Sequence, residues 1–101
     1  MKFVVSDLDG TLLHSHNIVS EYTIRTIDKL VKKNVNFAIA TGRGQQGVQG
    51  ILKQLGINPY LICNNGANIY TPEGECILDK RIPKKIVTEI LKEIRKNNLF
   101  Y

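Results

Sequence analysis

The sequence predicts an α/β fold, in which a Rossmann-like parallel sheet is followed by the start of an α+β unit. Over residues 2–63, short apolar runs alternate with segments of helical periodicity. This alternation favours a parallel sheet with right-handed crossovers. After Gly66 the order changes to two short strand-like runs and one amphipathic helix. We therefore divide the 101-residue chain into residues 1–66 and residues 67–101.

Three short apolar runs in the first part are predicted strands. They cover residues 2–6, 35–40 and 60–63, and a polar residue follows each of them. Short apolar runs bounded by turn-forming residues are typical of buried strands. Ligands in open parallel sheets bind beyond the carboxyl ends of the strands, so the residues after these runs are the first candidates for chemistry.

Two helices are predicted between these strands. Ser20 is a suitable N-cap for a helix over residues 20–33, and Asn34 can adopt the left-handed conformation that ends it. Apolar residues at helical spacing predict the second helix over residues 48–55, with Gly56 as its C-terminal stop.

The second part begins with a predicted hairpin. Residues 71–74 read Thr-Pro-Glu-Gly, a tight-turn sequence, between strand candidates at residues 67–70 and 75–78. An apolar stripe then predicts a helix over residues 83–97, with proline at its start. Residues 99–101 are expected to open another strand.

Composition and charge exclude several classes of protein. The chain is 43% hydrophobic and carries a net charge of +5. No apolar run reaches the roughly 18 residues of a membrane helix, and the N-terminus does not resemble a signal peptide, so we expect a cytoplasmic protein without membrane contact. The excess positive charge falls on predicted helices, which favours solvated helix faces over nucleic-acid binding. Cys63 and Cys76 are expected to be reduced and at least half-buried.

The strongest chemical signal is Asp7-Leu8-Asp9-Gly10, directly after the first strand. Two carboxylates one residue apart can bind a hard cation that prefers oxygen ligands. They can also act as a nucleophile and a general acid or base. An Asp-Gly turn without chemistry is the alternative, and the strand before it together with the Thr-Leu-Leu after it argues against that interpretation.

Three segments together resemble the haloacid dehalogenase-like hydrolases. Residues 7–13 (Asp-Leu-Asp-Gly-Thr-Leu-Leu) resemble the first motif of that superfamily, and residues 40–43 (Ala-Thr-Gly-Arg) resemble the second. Residues 62–70 resemble the third-strand segment of the Cof-type subfamily, of cap class IIB. The resemblance is to the N-terminal portion of these proteins and spans nearly the whole chain, so residues 1–66 are expected to be half of a catalytic core and residues 67–101 the start of a cap.

The resemblance implies a magnesium-dependent phosphatase that acts on a small phosphorylated metabolite. Asp7 is then the nucleophile that forms an aspartyl-phosphate, and Asp9 is the general acid and base. Mg²⁺ is expected to bind the Asp7 side chain and the Asp9 backbone carbonyl, while the Leu8 and Asp9 amides face the phosphoryl oxygens. His14 and His16 are better explained as an exposed flap, because imidazole is a poor ligand for magnesium.

Four further residues are candidates for binding the phosphoryl group or the substrate. The Thr41 hydroxyl and the Gly42 amide are expected to donate to the phosphoryl oxygens, just before a helix whose N-terminus favours an anion. Arg43 either contacts the substrate or pairs with an acid. Asn65, together with Gly66, either borders the pocket or forms a structural turn.

The resemblance also implies motifs that this sequence does not show. The family needs a lysine and a later acidic pair, and nothing after Tyr70 supplies either at a strand end. We therefore expect a truncated chain with very low activity. In the family sheet the first strand is central, so here residues 3–5 are expected at an unprotected edge that favours self-association as a dimer or larger assembly.

Three other functions compete with the phosphohydrolase. One is a non-catalytic fragment that binds phosphate or metal, or that acts by self-association. A phospho-acceptor receiver domain is another, but it places its acceptor aspartate at a later strand end, where residues 63–66 here read Cys-Asn-Asn-Gly. A sugar transferase with an Asp-x-Asp metal site does not explain Thr41-Gly42-Arg43.

Overall fold

The computed structural model describes residues 1–99, which form one five-stranded sheet and three α-helices. The strands are β1 (Phe3–Asp7), β2 (Asn36–Ala40), β3 (Tyr60–Cys63), β4 (Asn68–Tyr70) and β5 (Cys76–Asp79). The helices are α1 (Glu21–Lys32), α2 (Gln49–Leu55) and α3 (Lys84–Lys96).

The strands lie in the order β1-β2-β3-β4-β5. β1 pairs in parallel with β2, and β2 in parallel with β3, so that Asp7 is opposite Ala40 and Ala40 is opposite Ile62. β4 and β5 extend the sheet as antiparallel strands. The predicted Rossmann-like α/β fold is confirmed, since a helix lies in each connection between parallel strands.

One face of this sheet carries the hydrophobic core. Phe37, Ile39 and Leu61 are at most 5% exposed and alternate with other residues along β2 and β3. They belong to one buried cluster with Ile27 of α1 and Ile51 of α2. Both crossovers run in the same direction across the sheet, so right-handed connections place the two helices on the same face.

The predicted helix ends of the first part are confirmed. The Ser20 hydroxyl accepts a hydrogen bond from the Thr23 amide at 3.2 Å, which caps α1. Asn34 follows α1 with a φ of 61°, and Gly56 follows α2 with a φ of 67°. Both residues supply the left-handed conformation that a helix C-terminus requires.

β1 lies at one edge of the sheet, as expected. Phe3 is 47% exposed, Val4 38% and Val5 54%. Within the part of the chain that the structure describes, no strand pairs with the outer side of β1.

The hairpin continues the sheet across the predicted boundary at Gly66. β4 pairs with β3, so ladder hydrogen bonds join the residues on either side of that boundary. The division of the chain into core and cap stays a prediction. α3 buries none of its described side chains. For the strand expected at residues 99–101, Leu99 lies in no strand, and residues 100 and 101 lie outside the described range.

The expectation that both cysteines are at least half-buried is wrong for one of them. Cys63 is fully buried on the inner strand β3, whereas Cys76 is exposed on the edge strand β5. None of the described helices is long and apolar enough to cross a bilayer.

Candidate active site

The carboxyl ends of the three parallel strands bring most of the predicted site residues together. Asp7 ends β1, Thr41 follows β2, and Asn65 lies in the turn after β3. Because these strands are parallel and in register, all three ends meet at one edge of the sheet. They enclose an open cavity of about 340 Å³, which is lined by Asp7, Ala40, Thr41, Gly42, Ile62, Asn65 and Gly66.

Asp7 presents an exposed carboxylate to this cavity. Gly10, with a φ of 79°, lets the chain turn back immediately after the strand. The turn brings the Thr11 hydroxyl to 3.5 Å from Asp7 Oδ2, where it donates a long hydrogen bond. The carboxylate therefore keeps free lone pairs for a phosphorus atom or a cation.

Thr41 is the one buried polar side chain among residues 1–99, at 6% exposure. Its hydroxyl oxygen accepts a hydrogen bond from the Arg43 amide at 3.1 Å. Its own amide donates to the Ile62 carbonyl at 2.9 Å. The hydroxyl proton therefore remains available for an acceptor in the cavity.

The turn Asn64–Gly66 holds the Thr41 segment from the other side. The Asn65 amide donates to the Thr41 carbonyl at 3.1 Å, and the Asn64 amide donates to the Arg43 carbonyl at 2.9 Å. Asn65 Oδ1 lies 3.1 Å from the position that a Cβ on Gly42 would occupy. A side chain at residue 42 would therefore press on the Asn65 side chain, which glycine leaves undisturbed.

Asp9 points away from the cavity lining and pairs with Arg43. Arg43 Nε donates to Asp9 Oδ2 at 2.9 Å, and Arg43 Nη2 donates to Asp9 Oδ1, which makes the pair bidentate. The hydrogen bond from Arg43 lowers the pKa of Asp9 below its ordinary value, and the same contact raises the pKa of Arg43. Of the two partners left open for Arg43, the acid is Asp9, and contact with a substrate stays a prediction.

Arg43 also joins two other segments that the sequence did not connect to the site. Its Nη2 donates to Asn17 Oδ1 at 2.7 Å and its Nη1 donates to the Gly47 carbonyl at 3.2 Å. Gln54 holds the Asn17 segment in turn, because its Nε2 donates to the Asn17 carbonyl at 2.8 Å. No sequence pattern links Asn17 or Gln54 to Asp9, since their contacts join segments 26 and 37 residues apart in the chain.

The other residues discussed from the sequence lie near the cavity residues in the chain but do not line the cavity with their side chains. The Leu8 side chain is fully buried in the core, so only its backbone can face a ligand. His14 and His16 are exposed. α2 begins at Gln49, after a 3₁₀ turn over Gln45–Val48, so the helix N-terminus expected directly beside Thr41 lies further along the chain.

The oxygen donors of the site suit magnesium in type but are few. The Asp7 carboxylate and the Asp9 backbone carbonyl are hard oxygen ligands, and Mg²⁺ is commonly held by one or two carboxylates with water and phosphate completing its shell. Among residues 1–99, no three His, Cys, Asp or Glu side chains form a cluster that could hold a metal. The donor set therefore fits a cation shared with a bound phosphate.

A different cavity, of about 210 Å³, lies among residues that flank the amino ends of β2 and β3. It is lined by Val31, Val35, Asn36, Phe37, Ile57, Asn58, Pro59, Tyr60 and Pro72. It holds neither a carboxylate nor a basic side chain.

Comparison with known proteins gives a consistent family. The sequence matches the family described as haloacid dehalogenase-like hydrolase over residues 4–101. A putative phosphatase from Buchnera aphidicola subsp. Baizongia pistaciae is 41% identical over 95 residues, which cover 94% of this chain and 36% of the relative. Phosphatase YwpJ from Bacillus subtilis is 35% identical over 101 residues, covering 100% of this chain and 35% of the relative.

Solved structures agree with this match. A haloacid dehalogenase-like hydrolase from B. subtilis superposes with a TM-score of 0.86 at 35% identity, covering 97% of this chain and 34% of that one. A protein from Thermotoga maritima superposes with a TM-score of 0.84 at 33% identity, covering 94% of this chain and 36% of that one. The chain thus spans about a third of the length of these relatives.

Proposed function

This chain belongs to the haloacid dehalogenase-like hydrolases, and on that premise we propose that the protein is a magnesium-dependent phosphohydrolase of the Cof type, acting on a small phosphorylated metabolite. The observation that carries the proposal is the shared cavity, in which the Asp7 carboxylate, the Thr41 hydroxyl and the Gly42 and Asn65 turns face one another. A relative from Serratia proteamaculans, 35% identical over 85 residues, is named HMP-PP phosphatase, which favours a small phosphate ester as the substrate class.

In the proposed first step, an Asp7 oxygen attacks phosphorus and the bond from phosphorus to the leaving oxygen breaks. Asp9 donates its proton to that oxygen, and the Thr41 hydroxyl with the neighbouring amides donates to the phosphoryl oxygens. In the second step, water attacks the aspartyl-phosphate, Asp9 takes a proton from it, and phosphate leaves Asp7 free. The Asp7 carboxylate and the Asp9 backbone carbonyl would hold Mg²⁺, which would supply positive charge to offset the repulsion between carboxylate and phosphate.

The Arg43 pair constrains the role of Asp9 in this scheme. A general acid must carry a proton, whereas the guanidinium of Arg43 favours the carboxylate form. The arrangement described here therefore suits the second step, in which Asp9 acts as a base. Protonation of a leaving group requires Asp9 to turn from Arg43 toward the cavity.

Beryllofluoride binding tests this proposal on the chain itself, because BeF₃⁻ with Mg²⁺ mimics a phosphorylated aspartate. We expect a bound ¹⁹F signal that needs Mg²⁺ and disappears in Asp7→Asn. Asp28→Asn, an exposed carboxylate on α1, is the control and should keep the signal. A signal of equal strength in Asp7→Asn would refute the assignment of the nucleophile.

We propose further that the 101-residue chain alone hydrolyses phosphate esters very poorly. No lysine lines the cavity among the described residues, and Asp7 is its only carboxylate there. Loss of one preorganised donor costs about 100- to 1000-fold in rate. Robust magnesium-dependent hydrolysis of p-nitrophenyl phosphate by the pure chain would contradict this.

The second candidate is a non-catalytic module that binds phosphate or metal. The ion pair of Asp9 with Arg43 favours it, because a carboxylate held there does not reach the cavity. Asp7→Asn separates the two candidates: it removes turnover and the beryllofluoride adduct from an enzyme, but it leaves inorganic phosphate binding by a passive site nearly unchanged.

Self-association is proposed along the outer side of β1, with a second copy of this chain as the partner. A two-fold axis normal to the sheet pairs the strands antiparallel, with Val4 opposite Val4 and Phe3 opposite Val5. This pairing satisfies the free backbone groups of the edge and covers side chains that are now 38–54% exposed.

Sedimentation velocity over a wide range of concentrations measures this association. Val5→Lys should give a monomer, whereas Ile18→Lys, which changes an exposed side chain of similar accessibility outside the strand, should not. A monodisperse wild-type monomer at high concentration would exclude the edge as an interface.

A further inference from the structure

We infer that Asn68 and Asp79 are positioning residues, which hold the turn Asn64–Gly66 in its left-handed conformation and thereby fix Thr41 and Gly42 at the cavity. The positioning itself follows from the contacts of the hairpin. Its consequence for phosphate binding rests on the proposed function.

A continuous chain of side-chain hydrogen bonds runs from the far strand of the hairpin to the site turn. Asn64 Nδ2 donates to Asn68 Oδ1 at 2.6 Å, and Asn68 Nδ2 donates to Asp79 Oδ1 at 2.8 Å. Arg81 Nε closes the outer end by donating to Asp79 Oδ2 at 2.8 Å. The strand register makes this possible, because Asn68 is directly opposite both Cys63 of β3 and Asp79 of β5.

The turn at the inner end of this chain has a backbone that needs support. Asn64, Asn65 and Gly66 have successive φ values of 51°, 56° and 96°. Non-glycine residues with an L side chain disfavour this region, and two of them in succession are unusual. Asparagine tolerates the conformation best among them, but its preference does not select one geometry by itself.

The same turn determines where the phosphate-side groups lie. Its two amides donate to the Thr41 and Arg43 carbonyls, and the Asn65 side chain packs against Gly42. A change in the turn therefore moves the backbone of the second motif directly. The Asn64 side chain is the one link from this turn to the hairpin strands that is made by a side chain, and Asn68 receives it.

Asp79 determines which way the donors and acceptors of this hydrogen-bond chain are oriented. A carboxylate accepts only, so its Oδ1 fixes the Asn68 amide group with the nitrogen toward β5. The Asn68 oxygen is thereby turned toward β3, where it can accept from Asn64. Without Asp79 the amide of Asn68 can flip, and the Asn64 amide then meets a donor instead of an acceptor.

Residue-specific hydrogen exchange in the full chain is the first test. In Asp79→Leu we expect the Asn64 and Asn65 amides to exchange about tenfold faster, since their bonds to the Arg43 and Thr41 carbonyls open more often. Asn68→Leu should give the same result, and the double variant should add little, because both break one chain. Asp79→Asn keeps an oxygen for Asn68 and should restore most of the protection.

Thr71→Val is the matched control at the opposite end of the same hairpin. It removes the hydrogen bond that Thr71 Oγ1 accepts from the Glu75 amide at 3.2 Å. We expect it to lower the melting temperature without a selective effect on Asn64 and Asn65. If Asp79→Leu speeds exchange equally throughout the sheet, or no more at Asn65 than Thr71→Val does, the residue only stabilises the hairpin and the inference is wrong. If Asp79→Leu does not fold, Asn68→Leu decides the question on the same criterion.

Beryllofluoride affinity is the second readout. We expect about a tenfold loss in Asp79→Leu and none in Thr71→Val at a temperature where both are folded. A wild-type chain that binds no beryllofluoride would count against the proposed function, while the exchange result would still decide the inference. Altered exchange with unchanged affinity would overturn the link from the turn to the cavity.

Discussion

The two carboxylates of the first motif are separated by one residue, yet their surroundings are built in opposite ways. On the cavity side, Asp7 faces Thr41, whose segment is held to the Asn65 turn by main-chain hydrogen bonds. On the other side, Asp9 is held by the guanidinium of Arg43, on side chains that are 57% and 28% exposed. Main-chain bonds at a buried segment resist pH and salt, whereas an exposed ion pair is sensitive to both.

This difference suggests a division of labour. In the proposed mechanism the cavity side is the fixed receptor for the phosphoryl group, because its donors are set by the backbone at the ends of three parallel strands. The Asp9 side is adjustable, because the position of its carboxylate depends on a contact that charge and screening can weaken. An acid and base that must change partners during a reaction belongs on the adjustable side.

Gly42→Val is expected to lower beryllofluoride affinity the most, since it displaces groups on the cavity side. A Cβ at this position comes to 3.1 Å from Asn65 Oδ1, and the two methyl groups of valine enlarge the clash. A displacement on the order of 1 Å can cost about 100-fold at a reacting centre. We expect beryllofluoride affinity to fall by about that factor, as measured by ¹⁹F titration.

Gly50→Ala is the control for this change. A Cβ on Gly50 of α2 meets nothing within 4 Å, so the substitution should leave affinity unchanged and raise helix stability slightly. Equal affinities of Gly42→Val and the wild-type protein would show that the packing of Asn65 on the glycine does not define the cavity.

Thr41→Val comes next, because it keeps the shape of the fixed side and removes one buried donor. A hydrogen bond to a charged group contributes about 1.5–3 kcal/mol, so beryllofluoride affinity should fall at least about tenfold. The Arg43 amide also loses its acceptor, which lowers the free energy of unfolding by about 1 kcal/mol. Thr41→Ser should restore both quantities, and urea denaturation measures the second.

Arg43→Met tests the Asp9 side of the site through the pH dependence of the melting temperature. The Arg43 hydrogen bond lowers the folded pKa of Asp9 below its ordinary value of 3.8. A carboxyl with a lowered folded pKa stabilises the fold above its unfolded pKa, and this contribution is lost as the pH falls through the folded value. The variant should therefore melt below the wild-type protein at pH 7, with the gap closing between pH 3.8 and the lowered folded pKa.

Added salt should also reduce the difference in melting temperature between Arg43→Met and the wild-type protein at pH 7, because the ion pair of Asp9 with Arg43 is exposed. Lys32→Met, which removes the exposed pair of Lys32 with Asp28 on α1, gives the comparison for an ion pair outside the site. A gap in melting temperature between Arg43→Met and the wild-type protein that changes neither with added salt nor as the pH falls below 3.8 would show that Arg43 acts by packing rather than by its charge on Asp9.

The two sides also differ in how far the sequence alone predicts them. The cavity side follows from strand order, because residues after parallel strands meet at one edge, and Asp7, Thr41, Gly42 and Asn65 were expected there. The pairing of Asp9 with Arg43 spans 34 residues and depends on how the Leu8–Leu12 turn leaves β1. No local pattern encodes that exit angle, so the sequence left the partner of Arg43 open.

The hairpin illustrates the same limit at the level of the fold. Its turn and both strands were predicted within two residues, since turn chemistry and alternation are local signals. Its pairing with β3 was not predicted, because pairing depends on the Asn64–Gly66 turn, where three successive left-handed residues reverse the chain. Local propensity indicates that such a turn exists, but not which strand it returns to.

The smallest effect is expected from Asn17→Ala, which weakens the adjustable side without touching Asp9. Asn17 Oδ1 accepts from Arg43 Nη2 at 2.7 Å, so its loss removes one of the two acceptors of that nitrogen, while both bonds to Asp9 and the Nη1 bond to Gly47 remain. The free energy of unfolding should change by about 0.5 kcal/mol or less, as at other exposed sites.

The informative measurement is the ¹⁵N spectrum of Arg43, where slow rotation about the Nε–Cζ bond separates the two Nη signals. We expect these signals to merge in Asn17→Ala but not in Gln49→Ala, which removes an exposed hydrogen bond on α2. Two separate signals in both variants would show that the bonds to Asp9 and Gly47 fix Arg43 without Asn17, and the adjustable side would then be stiffer than its exposure indicates.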